Sequence, residues 1–308
     1  LVCGEDLDSY SSMITADNLC KKYGSLVAVD GISFAIQKGE MFGLLGPNGA
    51  GKTTTITMIV GALRPDSGTI TIDGEIDPTR NSVRRKIGTA PQALAIYDDL
   101  TAEENLFFFG RLYNLSGKLL RDKVDWALSF AGLTLRKKDK VKTFSGGMQR
   151  RLNLVSGLLH DPPVILMDEP TVGIDPQSRN QIFDSIEMLK KEGRTIIYTT
   201  HYMEEAQRLC DRVAIIDQGT ILALDTVDAL IRQYGGQPTV EVEFTSTPDK
   251  HVKFPGDLTG NKLRAKTDKP LEVLAQISAT GIEFQHVGIE RADLEAVFLQ
   301  LTGKKLRD

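Results

Sequence analysis

Three stretches of this chain carry residues whose types and spacing could do phosphate chemistry. "GPNGAGKTT", Gly46 to Thr54, fits the pattern G-x-x-x-x-G-K-[ST] through Gly46, Gly51, Lys52 and Thr53. In that pattern the glycines let backbone N–H groups converge on an anion, the lysine reaches the β and γ phosphates, and the threonine hydroxyl ligates Mg²⁺. The other loop residues, Pro47, Asn48, Gly49, Ala50 and Thr54, are expected to line the same phosphate site. "VILMDEP", Val164 to Pro170, is an apolar run ending in two carboxylates. Asp168 fits as a partner of Mg²⁺ beside a phosphate loop, which leaves Glu169 with no metal to neutralise and free to polarise an attacking water as general base. In "TFSGGMQRR", Thr143 to Arg151, Ser145, Gly146 and Gly147 open an amphipathic helix. They form either a second anion cradle or an ordinary serine-capped helix with a flexible entry.

These residues need elements to hold them. Alternation in "ITADNLCKKY" and "GISFAI" and the short run "MFGLLG" predict strands, and "KTTTITMIVGAL" predicts a helix, so the phosphate loop joins a strand to a helix. "GTITIDG" and "KIGTAPQ" read as antiparallel strands beside a parallel core. From about Tyr97 to Leu159 helical spacing takes over, which predicts an inserted α-helical subdomain. Strands and helices then alternate through "VILMDEP", "QIFDSIEMLKKEG", "TIIYTTH", "MEEAQRLC" and "RVAIIDQG", the order of a parallel sheet covered by helices. His201 follows the strand "TIIYTT" and so is expected at the carboxyl edge of that sheet, where ligands of open α/β sheets collect. A Gly-Gly-Gln-Pro cluster places a boundary near Gly235, beyond which "VEVEF" and "ADLEAVFLQLTG" predict a small α+β domain. With roughly 70 residues, that domain is expected to lean on the main one or on a partner.

Composition narrows the partners. The 308 residues are 41% hydrophobic and 25% charged, an ordinary globular balance, and the net charge of −4 does not favour nucleic acid or an anionic membrane surface. Three cysteines, Cys3, Cys20 and Cys210, lack metal-ligand spacing and read as reduced thiols. No run approaches the ~20 apolar residues of a membrane span, and "LVCGEDLDSYSSM" lacks the basic and apolar regions of a signal peptide. A membrane, if one is involved, comes with a partner. The three consecutive phenylalanines in "LFFFG" either dock a partner's helix or pack within the insertion, and "RKKDKVK", Arg136 to Lys142, reads as a solvated basic face or as an attractor of phosphate.

Taken in order, these motifs resemble the nucleotide-binding subunits of ATP-binding-cassette (ABC) transporters over nearly the whole of residues 13–235. "FSGGM" is similar to that family's signature motif, usually Leu-Ser-Gly-Gly-Gln, with Phe144 and Met148 standing where leucine and glutamine are usual. Gln92 in "APQ" looks like the Q-loop glutamine, Asp175 in "GID" like the D-loop, His201 like the switch histidine, and Tyr23 like the aromatic that stacks on adenine. The resemblance implies an α/β fold: a P-loop ATPase core with an antiparallel β subdomain and an inserted helical subdomain (about 97–159). It implies an ATP site built from Tyr23 and the 46–54 loop, Mg²⁺ held by Thr53, Gln92 and Asp168, and hydrolysis by Glu169 with His201. It also implies a head-to-tail homodimer in which Ser145, Gly146, Gly147 and Asp175 act in trans, closing over ATP held by the other copy. The C-terminal stretch, residues 236–308, is similar to the extension of ABC-2 type exporter ATPases, where it would stabilise the dimer or regulate it. That implies an integral membrane permease as partner and a place on the cytoplasmic face of the membrane. The alternatives are a soluble ABC ATPase acting on nucleic acid or ribosomes, and a phosphate-loop kinase or GTPase. The single cassette with its short insertion weighs against the first, the missing Asn-Lys-x-Asp against the second.

Overall fold

The computed structural model describes residues 12–249, 252–290 and 292–303, so Cys3 lies outside the described residues. They form two compact units that divide after Val227.

The first unit opens with a hairpin, β1 (Ser12–Tyr23) and β2 (Leu26–Gln37), closed by Gly24 at φ +60°. Next come β3 (Met41–Leu45) and α1 (Lys52–Ile59), the strand and helix that flank the phosphate loop. They are followed by β4 (Ser67–Ile72), β5 (Glu75–Ile76), the short α2 (Asn81–Arg84) and β6 (Ile87–Ala90). The antiparallel sheet runs β2-β1-β4-β5. "KIGTAPQ" does not belong to it: β6 pairs in parallel with a later strand, Ile87 opposite Val164, at the edge of the main sheet. Four residues are too few for alternation to reveal a sheet, and its burial on both faces is what a parallel strand requires.

Three helices follow: α3 (Ala102–Leu112), α4 (Gly117–Phe130) and α5 (Gly146–Ser156). Thr101 and Glu104 close a capping box at the start of α3. Leu106, Leu120, Val124, Leu128, Leu152 and Val155 bury into a core that these helices make for themselves.

The parallel order then resumes with β7 (Val164–Asp168), α6 (Pro176–Lys191), β8 (Thr195–Thr200), α7 (Met203–Leu209), β9 (Arg212–Asp217) and β10 (Thr220–Thr226). The six-stranded sheet runs β10-β9-β3-β8-β7-β6, parallel except for β10. β3, β7 and β8 are buried at every residue, which explains their unbroken apolar runs.

α8 (Val227–Tyr234) spans the division between the units. The second unit holds β11 (Thr239–Phe244), β12 (Asp257–Thr259), β13 (Lys262–Lys266), α9 (Pro270–Ala279), β14 (Phe284–Glu290) and α10 (Leu294–Thr302). Its antiparallel sheet runs β12-β13-β11-β14, and Val240, Val242, Phe244 and Leu263 form a core with Val273 and Ile277 of α9.

Candidate active site

The phosphate loop emerges at the carboxyl end of β3, the central strand of its sheet. Gly51 has φ +104°, a conformation that glycine adopts without penalty, and a Cβ there would run into the Ala28 carbonyl. The Lys52 ammonium is buried, donating to the carbonyls of Gly46 (2.7 Å) and Pro47 (3.2 Å) and standing 3.3 Å from Glu169 Oε1. Opposite the loop, Tyr23, 51% exposed, lines one wall of a cavity of about 770 Å³ with Leu26 and Val27. Residues Ala28, Asn48 to Thr54, Gln92 and Glu169 line the rest, together with Gln218 from the β9–β10 turn, a position that no motif marks.

Glu169 is where the site converges. Its Oε2 accepts from Gln92 Nε2 (3.2 Å), and its Oε1 lies 3.2 Å from His201 Nδ1 as well as beside Lys52. The backbone there takes φ +45°, which costs a non-glycine residue about 1–2 kcal/mol. Strand β8 holds it in place: Glu169 N–H donates to the carbonyl (3.2 Å) and the Oγ1 (3.0 Å) of Thr199. Asp168, one residue earlier, accepts from Thr53 Oγ1 (3.1 Å) and Thr199 Oγ1 (2.5 Å). The Thr53 hydroxyl and Asp168 carboxylate, with the Gln92 amide oxygen, are all-oxygen donors of the kind a hard cation such as Mg²⁺ takes.

Ser145 caps α5, its Oγ accepting from Met148 N–H (3.3 Å). Gly147 has a second constraint beyond any anion: a Cβ there would overlap the Ser178 side chain of α6. Phe144 and Met148 pack against the helical core, so the two departures from the usual signature are apolar anchors. Asp175 caps α6, and the Ser178 N–H (2.9 Å) holds its carboxyl below the usual range. The basic run is solvated and paired: Arg136 with Asp139, Lys137 with Glu103, Lys142 with Asp99. Phe108, 37% exposed, meets Tyr97 edge to face at 5.1 Å.

Besides Gln218, two more functional-looking residues carry no motif in the sequence. Arg150, on α5, donates from Nη1 to the carbonyls of Gln92 (2.6 Å) and Pro91 (3.1 Å) and from Nη2 to the Glu169 carbonyl (3.0 Å). Burial lowers its pKa, an effect opposed by Tyr198, Asp168 and Glu169. Asn153, one turn on, accepts from Ala95 N–H (2.8 Å) and donates to the Pro91 carbonyl (3.4 Å). Their signal was a charged and an amide side chain three apart, at positions of α5 that are buried.

Comparison with known proteins agrees with this geometry. A family profile described as "ABC transporter" matches residues 29–172. The chain is 43% identical to the linearmycin resistance ATP-binding protein LnrL of Bacillus subtilis (strain 168), over 96% of this chain and 100% of that protein. It is 40% identical to the Nod factor export ATP-binding protein I of Burkholderia lata, over 94% of this chain and 97% of that one. Among solved structures it resembles the dimeric ATP-binding cassette MJ0796 in a post-hydrolysis state bound to ADP and Pi, with TM-score 0.64 and 27% identity over 70% of this chain and 98% of that one.

Proposed function

This chain belongs to the ABC transporter family as an ATP-binding, ATP-hydrolysing subunit, and from that premise we propose that it works between two head-to-tail copies of itself to drive export through a separate membrane permease. The observation that carries the reading is the convergence of Lys52, Gln92 and His201 on the Glu169 carboxylate, at the carboxyl edge of the parallel sheet. Tyr23 stacks on adenine, and the N–H groups of the 46–54 loop cradle the phosphates. Lys52 exchanges Glu169 for the γ-phosphate as its anionic partner, and the released carboxylate takes a proton from the attacking water. His201 donates a hydrogen bond to the γ-phosphate. Thr53, Asp168 and Gln92 hold Mg²⁺, which when bound neutralises charge on the β and γ phosphates.

Ser145, Gly146, Gly147 and Asp175 of the other copy complete each site, a reading supported by the likeness to a dimeric cassette. Residues 13–235 form the ATP-binding domain, with the helical subdomain at 97–159, and 236–308 stabilise the dimer or regulate it. Among the described residues no helix is long and apolar enough to cross a membrane. The permease is proposed to be a separate chain, met at the cytoplasmic face of the membrane. The exposed Tyr97 and Phe108 beside the Gln92 loop form its docking patch. The names of the relatives, resistance and export, favour an expelled cargo.

The test is Ser145→Arg. ATP affinity of the isolated monomer stays within about twofold of wild type while ATP-dependent dimerisation is lost, because the change strikes only the half-site offered to the other copy. Equal loss of affinity in the monomer contradicts the composite site.

A further inference from the structure

Arg150 is only 5% exposed, and a charge so placed is stable only where its donors are satisfied. Its hydrogen-bond acceptors are backbone carbonyls of two separate segments: Pro91 and Gln92 at the mouth of the helical insertion, and Glu169 at the end of β7. Gln92 and Glu169 are also the pair whose side chains meet at 3.2 Å. The clamp therefore fixes, through the main chain, the separation of two side chains that face the cavity.

The helix that carries the clamp cannot move independently of that pair. Asn153 holds the next part of the same loop through Ala95 and Pro91. At the C-terminal end of α5, a Cβ on Gly157 would overlap the Thr89 carbonyl, so the helix lies directly on the backbone of β6, which leads into Gln92. At its other end the same helix starts from its N-cap, Ser145, five residues before Arg150 on one continuous 11-residue helix.

We propose that Arg150 is a positioning residue for hydrolysis, tying the Ser145 helix to the main chain of Gln92 and Glu169 so that contact of Ser145 with nucleotide alters the Gln92–Glu169 pair of the same chain. The link makes each site's hydrolysis depend on what the chain's own signature helix has engaged. It rests on the reading that Ser145 meets ATP held by another copy and that Glu169 is the base. It goes beyond that reading by naming the connection between the two sites of a dimer.

The experiment uses the full chain with Arg150→Lys and Arg150→Gln. Lysine keeps the charge but ends in one nitrogen, which cannot span carbonyls on both segments as the planar fork does. The expected result for Arg150→Lys is a kcat for Mg-ATP lower by about tenfold or more, with ATP affinity of the monomer within about twofold of wild type. The Hill coefficient of hydrolysis falls toward about one, a change that a merely structural role does not produce. If Arg150→Gln does not fold, Arg150→Lys alone carries the test. A wild-type kcat and Hill coefficient in Arg150→Lys overturns the proposal, as does a loss of Tm and ATP affinity that parallels the loss of kcat. The underlying reading is tested separately, by Ser145→Arg and by Glu169→Gln with Arg150 intact.

Discussion

Glu169 Oε1 and the Lys52 ammonium lie 3.3 Å apart, both buried, so the proposed general base and the lysine proposed to reach phosphate are ion-paired with one another. Under the proposed mechanism this pair couples nucleotide arrival to activation of the base, because a γ-phosphate would compete for the lysine and release the carboxylate. Gln92 and His201, both within hydrogen-bond distance of Glu169, are placed to keep it aimed once the lysine has gone.

Asp168 shares a hydrogen bond of 3.1 Å with Thr53 and is the one carboxylate in the oxygen-donor set assigned to Mg²⁺. Asp168→Asn keeps the shape and loses the charge. The expected outcome is a half-saturating Mg²⁺ concentration for hydrolysis raised by about tenfold or more, with Mg²⁺-free ATP binding little changed. A titration of rate against Mg²⁺ that superimposes on wild type contradicts the assignment.

Gly147 is held against Ser178 by packing as well as by any role toward phosphate. Gly147→Ala forces α5 off α6 and costs about 1–3 kcal/mol, seen as a Tm lower by roughly 2–10 °C. Adding Ser178→Gly removes the overlapping side chain and recovers most of the loss. Thermal melts of the single and double variants that show no recovery argue against the contact.

His160 stacks on Tyr113 with ring centroids 3.7 Å apart and donates to the Ile87 carbonyl (3.1 Å), while its Nδ1 is buried with no partner among the described residues. Burial pushes its pKa down from 6.5 to about 4. The unfolded chain therefore binds a proton at this site between those values while the folded one does not, so stability is full above about pH 6.5 and is lost as pH falls toward 4. Allowing for the partial exposure of the ring, the loss is about 2 kcal/mol. Urea midpoints at pH 7.5 and 4.5 are expected to differ less in His160→Phe than in wild type. An equal pH dependence in the two proteins contradicts a neutral buried imidazole.

The positions of the phosphate loop, Asp168, Glu169 and His201 were legible because local spacing places them at the ends of fully buried strands. β6 was misplaced because a four-residue edge strand carries no periodic signal, and its parallel partner Val164 is far along the chain. β10 and most of the second unit went unread because half-exposed strands such as "FQHVGIE" lack clean alternation. Arg150 was invisible for another reason: it bonds to carbonyls 58 and 19 residues away, and backbone carbonyls leave no trace in residue type. Gly147 was legible as a glycine that must be small, but Ser178, the neighbour that requires it, was not.

The most direct test of the account is size-exclusion chromatography of Glu169→Gln in Mg-ATP. Glutamine keeps the shape and one accepting oxygen but cannot take a proton from water, so ATP is held between two copies and not turned over. A stable ATP-bound dimer with no hydrolysis is the expected result. A variant that remains monomeric and hydrolyses ATP at the wild-type rate would contradict it.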